Sequence, residues 1–302
     1  AAGLCVGAIG TDTGSSIRRP SAFCGTVGLK PGYGRVSRNG VMMVAWSLDH
    51  VGPIADSMFD AVALLDAIAG PDREDQSCGI EPWHPMLPTL VTPHGLRRAG
   101  IPRRWVESMC EPAVAARFDE ACRTAESLGL QLVDIDPPHR EALQPALRLI
   151  SLVEAYVVHE AQFAERGARY SDELAALVRV GRAIPAPDYV KAQQLRARVR
   201  AWLNETFQTI DLILSPTMPV VAPPMVASVD PITPPSVVGD TSGLFCALAP
   251  LGGMQSISVP MGLAGNLPCG VLLTSPVKHE RASMRLAAAL EARLPVRAMP
   301  PL

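Results

Sequence analysis

Short apolar runs and amphipathic helical segments alternate along this chain, with glycine or proline at many of the junctions between them. Phe59, Val62, Leu65 and Ile68 recur at a helical spacing after a polar start at residues 56–57, and Gly70 follows as a stop signal. Helices that alternate with short strands across short connections are typical of α/β proteins. The pattern therefore predicts an α/β fold.

The remaining elements are predicted from the same signals. A helix is expected from Glu111 to Gly129, further helix over residues 141–184, and a long helix capped by Asp188 that ends near Asp211. The other expected elements are buried strands at residues 4–9, 132–135, 212–214, 256–259 and 270–273, and a last helix at residues 281–292. The 302 residues contain no internal repeat, so we expect one domain over residues 1–302.

The overall charge gives no reason to expect a nucleic-acid or membrane partner. The formal net charge is -2 and the isoelectric point is about 6.3. No apolar run is long enough to cross a bilayer. One long helix carries a basic cluster, which consists of Lys191, Arg196, Arg198 and Arg200. Because the opposite face of that helix is apolar, a solvated face is a better interpretation of this cluster than an RNA contact.

The seven cysteines are scattered and never spaced as C-x-x-C, which excludes a zinc or iron–sulfur motif of the usual kind. The histidines are also too far apart in sequence to indicate a metal site. Cysteines in mainly apolar surroundings are typical of reduced core residues in a cytoplasmic protein. Cys24, in an apolar stretch close to the first polar turn, is expected to be a packed thiol of this kind.

The segment GTDTGSSIRRP, residues 10–20, places hydroxyls, glycines and an aspartate directly after an apolar run. Such residues are common in ordinary solvated turns, and they are equally suited to a catalytic turn. The composition of the segment alone leaves both interpretations open.

The longer segment GTDTGSSIRRPSAFCGTVGLKPGYGRVSRNG, together with SLDHVGPIADS, closely resembles the amidase signature family of serine amidohydrolases. The resemblance continues more loosely through DLILSPTMPV, SISVPMGL and GVLLTSP, and so covers essentially the whole chain. It implies the α/β fold of that family, a mixed twisted β-sheet covered by helices on both faces.

The resemblance also implies a Ser–Ser–Lys triad in which Ser16 is the nucleophile. The family's other two members, a serine in a cis peptide bond and a lysine, correspond to positions before Ala1. The chain is therefore expected to be an amidase signature domain that is truncated at its N-terminus. The same resemblance implies a small-molecule amide substrate and neither a metal nor an organic cofactor.

The residues around Ser16 suit this chemistry. A tight turn that leads into a helix offers backbone N–H groups for an oxyanion, here those of Thr13, Gly14 and Ser15. Glycine at position 14 is expected to permit a φ angle that a side chain would resist. Ser15 replaces the glycine that is usual in the family, and this predicts a narrowed pocket or a strained φ.

Two charged residues are expected to support this turn. Asp12 is expected to accept backbone hydrogen bonds, and Arg18 is expected to brace the site.

Several alternatives stay open beside this interpretation. Lys30 could act as a local base, although its place in GLKPGYG favours a structural role, and His50 with Asp49 could form a Ser–His–Asp triad. Within the family, the A subunit of the tRNA-dependent amidotransferase is the second candidate. A third is a catalytically silent fragment, whose apolar surface at residues 4–9 would favour a homo-oligomer or association with other chains.

Overall fold

The computed structural model describes residues 1–224 and 243–295, with an eight-stranded mixed sheet at its centre. The strands are β1 (Gly7–Asp12), β2 (Val27–Lys30), β3 (His50–Ala55), β4 (Arg98–Ile101), β5 (Gln131–Asp134), β6 (Leu212–Pro216), β7 (Gln255–Ala264) and β8 (Leu267–Ser275). Their order across the sheet is β1-β3-β2-β7-β8-β6-β4-β5. Neighbours pair antiparallel from β1 to β6, and β6, β4 and β5 pair parallel.

Helices cover this sheet in two groups. They are α1 (Arg18–Cys24), α2 (Met58–Ile68), α3 (Arg103–Met109), α4 (Pro112–Ser127), α5 (Arg140–Arg166), α6 (Asp172–Ala183), α7 (Ala186–Thr206), α8 (Leu244–Gly252) and α9 (Glu280–Glu291). Helices α2 and α4 both contact α9, and these three pack on the sheet as one group. Helices α1 and α8 pack on β7 and β8, and α5 and α7 lie over α8 as an outer layer.

Helix α8 is buried on every side. Its residues from Leu244 to Leu251 are all buried, as expected for an apolar helix enclosed between a sheet and an outer helical layer. Gly253 ends the helix with a φ of 72°, in the left-handed region that glycine adopts without strain. Helix α8 is therefore an enclosed core element, and Arg18 at the start of α1 hydrogen-bonds to its residue Cys246.

Most of the predicted elements are present. In α2, the side chain of Ser57 caps the helix by accepting a hydrogen bond from the amide of Asp60, and in α4 the predicted face buries Val114 and Phe118. Strands β5 to β8 and helix α9 begin close to their predicted starts, with β8 the most displaced because it begins already at Leu267. Helix α7 begins at Ala186 after Pro185, so Asp188 lies in the first turn and is not its cap.

The predicted buried strand at residues 4–9 is wrong in both register and burial. The strand is β1 at the edge of the described sheet, where it pairs with β3. Leu4 and Val6 precede it with exposures of 87% and 72%. Phe59, predicted on the buried face of α2, is also exposed. Apolar composition predicts burial only where the fold covers the residue, and the described residues do not cover Leu4, Val6 or Phe59.

Candidate functional site

The polar turn at residues 13–17 lies between the end of β1 and the start of α1 and forms part of the wall of a cleft of about 1280 Å³. Ser16 is exposed at this wall, whereas Ser15 is buried. The facing wall comes mainly from α5, including Leu147 and Ser151. Both adjacent serines thus line the cleft, and Ser16 is the more exposed of the two.

Asp12 and Arg18 form a fully buried ion pair beneath the turn. Arg18 Nε donates to Asp12 Oδ2 and Nη2 donates to Oδ1, each at 2.9 Å, and the amide of Ile17 donates to Oδ2 at 3.1 Å. Burial by itself would raise the pKa of the Asp12 carboxyl, but the adjacent guanidinium outweighs it, so that this pKa is lowered. Asp12 is therefore a carboxylate whose two oxygens join the end of β1 to the start of α1.

Arg18 also ties the turn to α8. Its Nη2 donates to the carbonyl oxygen of Gly14 at 2.7 Å, and its Nη1 donates to that of Cys246 at 2.8 Å. The planar guanidinium can satisfy a carboxylate and two carbonyls at once, which a lysine ammonium could not do in the same plane. The side chain of Arg18 thus hydrogen-bonds the turn to Asp12 on one side and to helix α8 on the other.

The backbone of the turn differs from two of the sequence-based expectations. Neither Gly14 nor Ser15 has a φ in the left-handed region, so glycine is not required at position 14 and Ser15 is not strained. A Cβ placed on Gly14 would lie 3.7 Å from Leu147 Cδ2, an ordinary contact. Within residues 1–224 and 243–295, the amides of residues 13–16 donate no hydrogen bond, and Ser16 Oγ has no partner.

Asp49 supports the turn from a second loop, residues 44–49, which we call the bracing loop. Thr13 Oγ1 donates to Asp49 Oδ1 at 2.6 Å, and Asp49 Oδ2 accepts from the amides of Val44 and Ala45 at 2.6 and 3.1 Å. Burial raises the pKa of Asp49, although these hydrogen bonds act in the opposite direction. The Asp49 carboxyl thus joins the bracing loop to the first residue of the turn.

The bracing loop is in turn fixed to helices α5 and α7 through Ser47. Glu154 accepts from the Ser47 amide and hydroxyl, both at 2.7 Å, while Arg196 donates to the Ser47 hydroxyl and carbonyl at 2.6 and 2.8 Å. Arg196 is only 5% exposed, so the solvated-face interpretation of the basic cluster is wrong at this position. Sequence reasoning missed Glu154 and Arg196. The apolar neighbours Leu195 and Val199 were the available signal for Arg196.

Lys30 is buried and donates to the carbonyl oxygens of Pro31 and Met254 at 3.0 and 2.5 Å. Burial, followed by the nearby charge of Arg18, lowers the pKa of Lys30 well below its ordinary value. The Met254 contact joins β2 to the segment that precedes β7, the Pro31 contact is local, and neither reaches Ser16. This geometry agrees with a structural role.

His50 does not form a triad with Asp49. Its Nδ1 lies 2.6 Å from the carbonyl oxygen of Leu48, and its buried Nε2 has no hydrogen-bond partner in the described parts of the chain. Burial, followed by the charge of Lys30, lowers the pKa of His50 well below 6.5. The Asp49 carboxylate is engaged by Thr13 and the bracing loop instead.

The cysteines only partly follow the sequence-based expectation. Cys122, Cys246 and Cys269 are buried, whereas Cys24, predicted as a packed thiol, is exposed, as is Cys5. Cys24 is the last residue of α1, where the helix ends at the surface. All seven are free thiols.

No group of three or more His, Cys, Asp or Glu side chains in the described residues is arranged to hold a metal ion. Helices long and apolar enough to span a membrane are also absent from this part of the chain.

The chain is similar in sequence to known proteins. The chain is 36% identical to the A subunit of glutamyl-tRNA(Gln) amidotransferase from Myxococcus xanthus, over 94% of this chain and 63% of that protein. It is 32% identical to the Chromohalobacter salexigens protein of the same name, over 91% of this chain and 61% of that one. The chain thus spans less than two thirds of the length of these relatives.

Solved structures give the same result. The A subunit of glutamyl-tRNA(Gln) amidotransferase from Thermotoga maritima superposes with a TM-score of 0.81 at 31% identity, covering 99% of this chain and 64% of the other. A protein from a vestigial complex related to the origin of an s-triazine catabolic enzyme matches with a TM-score of 0.81 at 28% identity, covering 94% and 62%. The family model described as Amidase matches residues 1–283, and the mixed sheet with its covering helices is the fold of these neighbours. On its sequence and its architecture, the chain belongs to the amidase signature family.

Proposed function

We propose that this protein hydrolyses a small carboxamide through an acyl-enzyme intermediate on Ser16. The observation that carries the proposal is the pairing of an exposed Ser16 hydroxyl with adjacent amides that donate no hydrogen bond within the described chain, at the wall of a large cleft. Asp12, Arg18 and Asp49 hold that turn without bonding to the Ser16 hydroxyl.

In the proposed reaction, Ser16 Oγ attacks the amide carbon and gives up its proton. The carbonyl oxygen becomes an oxyanion, which the N–H groups of Thr13, Gly14, Ser15 and Ser16 are placed to stabilise. Each such donor contributes about 3 kcal/mol to lowering the barrier. The C–N bond then breaks and the amine leaves with a proton. Water hydrolyses the resulting ester, which restores Ser16.

The proton of Ser16 requires an acceptor, and no described residue is hydrogen-bonded to Ser16 Oγ. The family resemblance assigns this role to a serine and a lysine that have no counterpart among residues 1–302. We therefore expect the 302-residue chain alone to hydrolyse amides about 10²–10⁴-fold more slowly than a protein that carries both groups.

The test is covalent labelling with a fluorophosphonate probe in a protein that includes those two groups. We expect Ser16→Ala to abolish labelling and Ser15→Ala to retain it, because Ser16 is exposed whereas Ser15 is buried. Labelling that survives in Ser16→Ala but disappears in Ser15→Ala would contradict the assignment. Mass spectrometry of the labelled peptide identifies the modified serine directly.

A second candidate is the ammonia-supplying component of a tRNA-dependent amidotransferase. It is favoured by relatives at 32% and 36% identity that carry the name of the A subunit of glutamyl-tRNA(Gln) amidotransferase. Turnover of glutamine and of a panel of aryl and aliphatic amides distinguishes the two candidates. Ammonia release confined to glutamine would support the amidotransferase component, and hydrolysis across the panel would support the general amidase.

A further inference from the structure

A second, smaller pocket lies apart from the cleft and shares no lining residue with it. It has a volume of about 300 Å³ and is formed where the start of β4, the segment at residues 207–211 and the turn before α9 meet. Three cations line it, Arg97, Arg98 and Lys278, together with His279 and one carboxylate, Asp211. The pocket is therefore strongly cationic for its size.

These cations lack partners within the described chain. The side chains of Arg97, Arg98 and Lys278 make no hydrogen bond or ion pair in residues 1–224 and 243–295. Arg98 Nε is shielded from solvent and still has no acceptor there. A buried donor that lacks a partner carries a desolvation cost, which a bound acceptor would offset.

The single carboxylate of the pocket, Asp211, accepts hydrogen bonds from backbone amides. Asp211 Oδ2 accepts from the backbone amides of Arg97 and Arg98 at 2.6 and 2.9 Å, so Asp211 holds the start of β4 in place. His279 Nδ1 lies 2.9 Å from the carbonyl oxygen of Asp211, which requires the proton on Nδ1. Asp211 and His279 thus fix the backbone of the pocket, and the three cations that line it keep their side chains free of hydrogen bonds to the described residues.

We propose that this pocket binds a phosphate group, either as free inorganic phosphate or on a small phosphomonoester. Guanidinium groups match the tetrahedral oxygens of phosphate with paired N–H donors, and a lysine ammonium adds a compact charge. Two arginines and one lysine around 300 Å³ supply both kinds of contact. The site is independent of the Ser16 chemistry, so it holds whether or not the proposed hydrolase activity does.

Isothermal titration calorimetry with inorganic phosphate and with glycerol phosphate tests the proposal at constant ionic strength. We expect saturable binding in the unaltered chain, and the tighter of the two ligands identifies the source of the phosphate. Arg98→Gln and Lys278→Gln are each expected to weaken binding about tenfold or more, since one charge-assisted hydrogen bond contributes about 1.5–3 kcal/mol. Lys191→Gln is the matched control, because Lys191 is exposed and paired with Asp188 away from the pocket.

The exposed position of Lys278 makes its variant informative even if Arg98→Gln fails to fold. Absence of saturable binding of either ligand, equal weakening by Lys191→Gln, or the same heat from chloride at matched ionic strength would overturn the proposal.

Discussion

The ion pair beneath the turn and the cationic pocket use the same residue type in opposite ways. In the turn, Arg18 is completely buried and directs its donors to Asp12, Gly14 and Cys246. In the pocket, the side chains of Arg98 and its cationic neighbours line an open volume and make no hydrogen bond within the described residues. A buried arginine with all its bonds made stabilises a fold, whereas arginines that share one pocket without partners are available to a ligand. Four experiments test this contrast, from the largest expected effect to the smallest.

Asp12→Asn should have the largest effect. It leaves the Arg18 charge buried without its counter-charge, which typically costs about 3–5 kcal/mol in the free energy of unfolding. Urea denaturation measures that loss. Arg104→Gln is the control, because the Arg104–Asp136 pair is 81% and 59% exposed and should change stability by less than about 1 kcal/mol. Equal losses in both variants would remove the distinction between structural and available arginines.

The pH dependence of stability sharpens the comparison, because His50 lies in the same buried region as Asp12 and Lys30. Its folded pKa is well below 6.5, so the unfolded chain binds more protons as the pH falls through 6.5. The free energy of unfolding should therefore fall by up to about 1.4 kcal/mol per pH unit below that value and be fully retained above it.

His50→Gln should flatten this slope between pH 7 and pH 5, as measured by urea denaturation at each pH. His84→Gln, at an exposed histidine, serves as the control and should leave the slope unchanged. A slope that persists in His50→Gln would show that another buried group titrates there.

Gly14→Ala should change the free energy of unfolding by less than about 1 kcal/mol, since the φ at this position is not left-handed. The hydrogen bonds of Arg18 and Asp12 hold the turn in place, and they do not require a glycine at position 14. Gly28→Ala is the contrasting variant, because its Cβ would lie 2.8 Å from the carbonyl oxygen of Ile17. Thermal denaturation of both should rank Gly28→Ala as clearly the less stable.

Lys278→Gln should have the smallest effect on stability, within about 0.5 kcal/mol, because it removes no contact of the described fold. Thermal denaturation in phosphate-free buffer measures it. A loss comparable to that of Asp12→Asn would mean that Lys278 supports the fold, and the contrast between the two regions would then fail.

Local sequence patterns predicted the helices and strands that carry clear start, stop or hydrophobic signals. The sequence identified the cap at Ser57, the proline start of α4 and the apolar runs of β6, β7 and β8. Each of these signals lies within or beside its own element. Strands β2, β3 and β4 were not predicted, since they are short and contain glycine, proline or charged residues. Helix α8 was also missed, because a helix that is apolar on every face has no amphipathic period.

The same division applies to the site. The sequence by itself determined the family, the position of Ser16 in a polar turn that leads into a helix, and the choice of Asp12 and Arg18 as neighbours, because these residues lie within one continuous motif. Only the tertiary structure decided that Ser15 is buried while Ser16 is exposed, that Arg196 and Glu154 meet at Ser47, and that Arg98 lies near Lys278. Those contacts join residues from distant parts of the chain, and their geometry depends on strand order and helix packing, which no local pattern encodes.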